Sequence, residues 1–177
     1  FYNRRDSTMS KIEVNEIARR SGSSPISIPG HVIQTTQQAY TTATSISSTS
    51  YTATGLTTSI TPTSASSKIL VSVNLSAETY QNGQVAGKFF LQILRDISGG
   101  SETEIAFRRS DSYAATASNG YYSFSVHGTM DYLDSPNTTN AVTYTVKGKL
   151  SHTTSSFTLR LHDASSMSTL TLQEIAQ

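Results

Sequence analysis

From His31 onward the chain alternates apolar and polar residues with a period of two, in short runs cut by turn signals, and no run shows a helix-length 3.6-residue period. A chain so patterned cannot build the amphipathic helices that an α/β fold packs on its sheet. The predicted strands are His31 to Gln38, Tyr51 to Ile60, Lys68 to Ala77, Lys88 to Asp96, Thr103 to Arg109, Tyr121 to Leu133, Val142 to Leu150, Phe157 to His162 and Thr169 to Ile175. Between them stand Thr61-Pro62, Asn82-Gly83, Ser98-Gly99-Gly100, Asn119-Gly120 and Ser135-Pro136-Asn137, each a recognised turn chemistry. In the stretch Val142 to Leu150, Tyr144, Val146 and Leu150 point one way while Thr143, Thr145, Lys147 and Lys149 point the other. One face is therefore buried and the other wet. The expectation is an all-β antiparallel β-sandwich or jelly roll over residues 31–177, with less than a tenth helix.

Composition explains how such a sheet stays in water. Of 177 residues, 30 are Ser and 26 are Thr, only 14% are charged, and 15 are Tyr or Phe. Disordered chains are highly charged and poor in aromatic and β-branched residues, which this chain is not. Thr suits the pleated solvent face of a strand, and its hydroxyl satisfies water without adding charge. A hydroxyl-rich, weakly charged β surface fits rigid extracellular or virion assemblies.

Residues 1–30 differ. Met9-Ser10-Lys11 has the look of a translational start, leaving Phe1 to Thr8 as an upstream extension. Lys11 to Arg20 is open to a short helix or a short strand. Pro25, Pro29 and Gly30 stop either one from continuing. Ile12, Val14, Ile17, Ile26 and Ile28 are apolar surface that bare water disfavours, so the segment reads as an attachment arm buried against a neighbouring subunit or another virion protein. The alternative is an arm folded back over an edge strand of its own sandwich.

Several function classes are disfavoured. There are no cysteines, which excludes disulfides, thiol nucleophiles and cysteine-ligated metals. The net charge of +1 lacks the basic excess of a nucleic-acid binder, and no apolar run reaches the length of a membrane span. No secretory signal core is visible, so a soluble chain is expected. His31, His127, His152 and His162 lack metal-site spacing; His162-Asp163 is the one pair that could ligate, against a bland strand-end reading. Asp131 and Asp134 could be paired carboxylates, or Asp134 could begin an Asx-type turn. No metal, cofactor or catalytic residue is expected. A richer loop lies near Arg108, Arg109, Asp111, Tyr113, Asn119 and Tyr121, where Tyr, Arg, Asp and Asn gather between two strands. Such residues on a rigid β scaffold grip a sugar or a protein loop, whereas the bland reading has Phe124 and one neighbouring Tyr filling the core.

The segments Ser48 to Tyr51 and Thr54 to Val71 resemble a stretch of tail-fibre-like structural proteins of marine bacteriophages, cyanophages among them. Lys11 to Ile17, Pro29 to Gln34, Tyr132 to Pro136 with Tyr144, and Ser168 to Ile175 are similar to the same family. The resemblance implies a virion protein of tail or capsid surface, assembled in the host cytoplasm: a small tail fibre or fibre-tip domain contacting a host-surface glycan or protein. A homo-oligomer is expected, with a trimer first. A capsid decoration protein is the alternative, and a polysaccharide-binding or polysaccharide-degrading module the third choice. The stretch from Ala77 to Gly120 matches no pattern of the family, so specificity is expected there.

Overall fold

A computed structural model describes residues 28–82, 87–112, 121–151, 157–162 and 166–177; for 81–82, 111–112 and 121–126 it describes the backbone alone. Ile12, Val14, Ile17, Ile26, Tyr113 and Asn119 lie outside the described residues, and the side chains of Asp111 and Tyr121 do as well. Ten strands are present: β1 Val32–Tyr40, β2 Thr44–Ile46, β3 Thr52–Ile60, β4 Lys68–Asn82, β5 Gly87–Ile97, β6 Thr103–Ser112, β7 Tyr121–Asp134, β8 Val142–Leu150, β9 Phe157–Leu161 and β10 Ser168–Ile175. The described residues contain no helix. The all-β expectation holds, and two antiparallel sheets face one another as a sandwich.

The 15-residue β4 is the spine of the larger sheet. Its first half pairs with β10, its second half with β9, and its other edge with β7 over its whole length. β1 lies outside β10, and β2 outside β9. The smaller sheet runs β3-β8-β5-β6. Alternation puts Ile69, Val71, Val73 and Leu75 of β4 against Leu91 and Ile93 of β5 and Tyr144 and Val146 of β8 in one core. The split of β8 into buried even and wetter odd positions follows the sequence pattern.

Sequence alternation missed β2 and ended β4 five residues early. β2 sits in a Ser/Thr-rich stretch with a single buried apolar residue, Ile46, and forms only because β9 offers a ladder. The extension of β4 past Ala77 runs through Glu78, Thr79 and Tyr80, where pairing on both edges replaces an apolar signal.

The two open sides of the sandwich are unlike. At the β1–β3 side, β1 side chains reach the backbone of β3 and of the residue that follows it: Gln34 Nε2 donates to the Thr61 carbonyl at 2.7 Å, Thr36 Oγ1 to the Ser59 carbonyl at 3.4 Å, and Gln38 Oε1 accepts from Thr57 N–H at 2.7 Å. Every second residue of β1 thus substitutes for a ladder bond and closes that seam. At the β6–β7 side, Arg108 Nη1 donates to the Thr129 carbonyl at 2.6 Å. Among the described strands β7 pairs with β4 alone and β6 with β5 alone, so on this side two long strands meet without a shared ladder.

Candidate functional site

Three buried polar groups stand where an active site would be sought. The first joins the sheets at Asp134, the last residue of β7. Tyr144 Oη donates to Asp134 Oδ2 at 2.8 Å, and Arg95 Nη1 lies 2.8 and 3.1 Å from the two carboxylate oxygens. Asp134 is 4% exposed and Tyr144 is fully buried. Burial first, then the Asp134 charge and its hydrogen bond, push the Tyr144 hydroxyl far above the ordinary phenol range, against a smaller opposing pull from Arg95. A tyrosine so held is a permanent donor. Asp131, an odd number of residues away on the same strand, is exposed, so the carboxylate pair of the sequence reading is split across two faces.

The second group is a relay around His162, which is fully buried and sits at φ 58° just beyond β9. Its Nε2 lies 2.9 Å from the Thr54 carbonyl, which can only accept, so Nε2 carries the proton. Nδ1 therefore accepts from Ser168 Oγ at 2.7 Å, and Ser168 Oγ accepts from Ser76 N–H at 2.9 Å. The Tyr40 ring covers the imidazole edge-on, with centroids 4.9 Å apart. Burial lowers the His162 pKa, partly offset by the bond to Thr54. Both nitrogens are taken by protein groups, which leaves neither for a metal or a substrate.

The third group is Glu174 of β10, fully buried. Oε2 accepts from Gln34 Nε2 at 2.7 Å; Oε1 accepts from Thr63 N–H at 2.7 Å and from its hydroxyl at 2.8 Å. Burial alone would raise its pKa, but these donors outweigh it and hold the carboxyl below its ordinary value. A loop after β3 is thereby tied to the last strand.

None of the three presents a reactive atom to solvent. Among the described residues no group of three or more His, Asp or Glu could hold a metal ion. A shallow groove of about 240 Å³ is lined by Ala43, Thr44, Ser45, Arg160 and Leu161, and its one charged group lies over the Tyr80 ring at 4.3 Å.

The loop residues expected to touch a ligand are divided by strand geometry. Arg108 points between the sheets to Thr129, while Arg109, exposed, stands on the outer face of the smaller sheet. Asp111 and Tyr121 lie at the same end of β6 and β7 by backbone position. Sequence reading missed what surrounds Arg109: Phe107 is 61% exposed beside it, and Lys149 Nζ lies 4.4 Å from the Tyr51 ring centroid and 5.3 Å from that of Phe90. The alternating Lys147 and Lys149 were a visible signal for that face; their aromatic neighbours come from other strands.

No family model matches the chain, and no curated protein matches it. Its likeness among solved structures is faint. A structure of infectious bursal disease virus, Gx strain, is similar at 10% identity and a TM-score of 0.31, covering 82% of this chain and 37% of that one. One of the Gt strain is similar at 11% and 0.30, covering 94% of this chain and 43% of that one. The chain spans less than half the length of either.

The buried groups set a pH dependence. The folded pKa of His162 lies below its unfolded value of about 6.5, so the unfolded chain binds the extra proton first as pH falls. Stability is full above that value and declines below it. Glu174, with a depressed folded pKa, adds a second loss as pH falls past the ordinary Glu value of about 4.3 toward its folded pKa. Urea midpoints are expected to drop between pH 7 and 5 in the wild type and to drop less in His162→Gln; equal slopes in the two proteins would remove His162 from the account.

Proposed function

We propose that this chain is a non-enzymatic virion structural protein, a small tail fibre or fibre-tip domain of a bacteriophage that contacts the host surface. One observation carries the reading. Segments whose sequence resembles marine phage fibre-like proteins are joined to one another by the buried polar groups: Thr54 to Ser168 by way of His162, which lies outside them, Thr63 to Glu174, and Asp134 to Tyr144. The resemblance thus follows the bonds that lock a sandwich rather than a reaction centre. Even the Pro29-Gly30 junction takes part, with Gly30 N–H on the Ala176 carbonyl and Ala176 N–H on the His31 carbonyl. Residues before it form the arm that engages other virion proteins.

Subunits meet across the unsealed β6–β7 side, as a trimer. On β7, Tyr132 is 39% and Leu133 48% exposed on opposite faces, flanking an unpaired edge that a neighbouring copy covers. Light scattering is expected to give three times the 19.1 kDa chain mass, and Leu133→Arg to return it to one. A wild-type monomer at micromolar concentration sinks the assembly model. For the role itself, mass spectrometry and immunogold labelling are expected to find the chain in purified particles at the tail. Labelling of the head favours a decoration protein, and absence from particles ends the virion reading.

A further inference from the structure

The outer face of the smaller sheet gathers cations and aromatic rings from three strands. Phe89, Leu91 and Ile93 of β5 face the core, so Phe90 and Gln92 face out. Arg108 reaches into the sandwich, so Phe107 and Arg109 face out as well. Register then sets two rungs across β6, β5 and β8: Arg109–Phe90–Lys149, and Phe107–Gln92–Lys147. Neighbours along a rung are about 4.8 Å apart and the rungs about 7 Å, the lattice of any sheet. Cations and aromatic rings are thus laid out on one flat area, with Gln92, 7% exposed, covered between Phe107 and Lys147.

Charge and placement pick the occupant. Exposed Lys88 extends the cations by one position along β5, while Glu102, bound to Lys147, and Glu104 are acidic groups of this side. On the outer face of the larger sheet, by contrast, Lys68, Glu78, Asp131 and Arg160 mix both signs, and Thr35, Gln37, Asn74, Thr169, Thr171 and Gln173 lie between them. Among the described residues, Lys88, Arg109, Lys147 and Lys149 stand beside the most exposed aromatic ring, Phe107. Lys149 is held over two rings, so its donors are placed in advance rather than recruited.

We propose that this face binds an acidic polysaccharide, with sugar rings stacked on Phe107 and carboxylate or phosphate groups on Arg109 and Lys149. The inference rests on the host-contact reading and gives it a ligand class. An aromatic face complements the C–H face of a sugar, and Arg complements a carboxylate or phosphate bidentately.

The test uses the full chain with three probes: polygalacturonate, dextran of matched length, and an oligodeoxythymidylate. In affinity electrophoresis polygalacturonate is expected to retard the wild type, dextran not, and added salt to weaken the shift. Phe107→Ala and Arg109→Ala, both at exposed positions, are each expected to weaken binding by about tenfold, as truncation of a contact that matters does. Gln37→Ala, on the opposite sheet, is expected to change nothing. Equal binding of dextran, undiminished binding by Phe107→Ala, or no binding of polygalacturonate each overturns the proposal; binding of the oligonucleotide alone replaces it with a nucleic-acid surface. Particle mass spectrometry separates the two readings: a chain present in particles that ignores polygalacturonate keeps its virion role and loses this ligand, and one that binds but is absent from particles does the reverse.

Discussion

Replacing Asp134 by Ala is expected to cost about 3–5 kcal/mol of unfolding free energy, the range for removing one partner of a buried charge pair. The residue is 4% exposed, and its carboxylate is gripped by Arg95 and Tyr144, both from the opposite sheet. Its loss leaves the buried Tyr144 hydroxyl without its acceptor and the 21%-exposed Arg95 without a counter-charge. Tyr144→Phe is a milder cut, expected at about 1–2 kcal/mol because one hydrogen bond goes while the ring still fills the core. A urea-unfolding cycle of the two single variants and the double is expected to show coupling, since they share one bond. If Asp134→Ala unfolds at the wild-type midpoint, the group is not what joins the sheets.

The second large effect is expected at Gly55. Its φ of 92° lies where a side chain is strained, and a Cβ added there would sit 2.4 Å from the Tyr40 ring. Gly55→Ala combines backbone strain of about 1–3 kcal/mol with a ring that must swing away from His162. The ring is the movable end of a half-buried side chain, so the clash is relieved at the expense of uncovering the imidazole. In a Tyr40→Ala background the same change is expected to cost only its backbone share. Additive costs in chemical denaturation would show that the ring is not in the way.

How far these features could be read from sequence depends on how local their cause is. The strands of β8 and β10 are written in their own alternation, and Pro29-Gly30 announces its turn with Gly30 at φ 80°. β2 is not, because Ile46 is one apolar residue among hydroxyls and its strand exists only through β9. The seam-closing role of Gln34, Thr36 and Gln38 looks in sequence like a wet face; only the nearness of β3 turns it into a set of backbone bonds. Arg108 and Arg109, adjacent in the chain, read as contacts of one loop, yet a period of two sends them to opposite sides of a sheet. The buried status of Asp134, His162 and Glu174 depends on partners about 10 to 140 residues away, a distance at which pattern carries no signal.

The position of β10 between β1 and β4 also fixes an order of events. β1 is made early, but its ladder partner is the last described strand, with Val32 opposite Ile175. Until residues 168–175 have left the ribosome, β1 has nothing to pair with and β4 lacks a neighbour on half of one edge. Such long-range closure is slow compared with local pairing. Synthesis therefore runs past residue 175 before the larger sheet can close, and a chain cut short before β10 leaves both β1 and half of one β4 edge unpaired in place of a finished subunit.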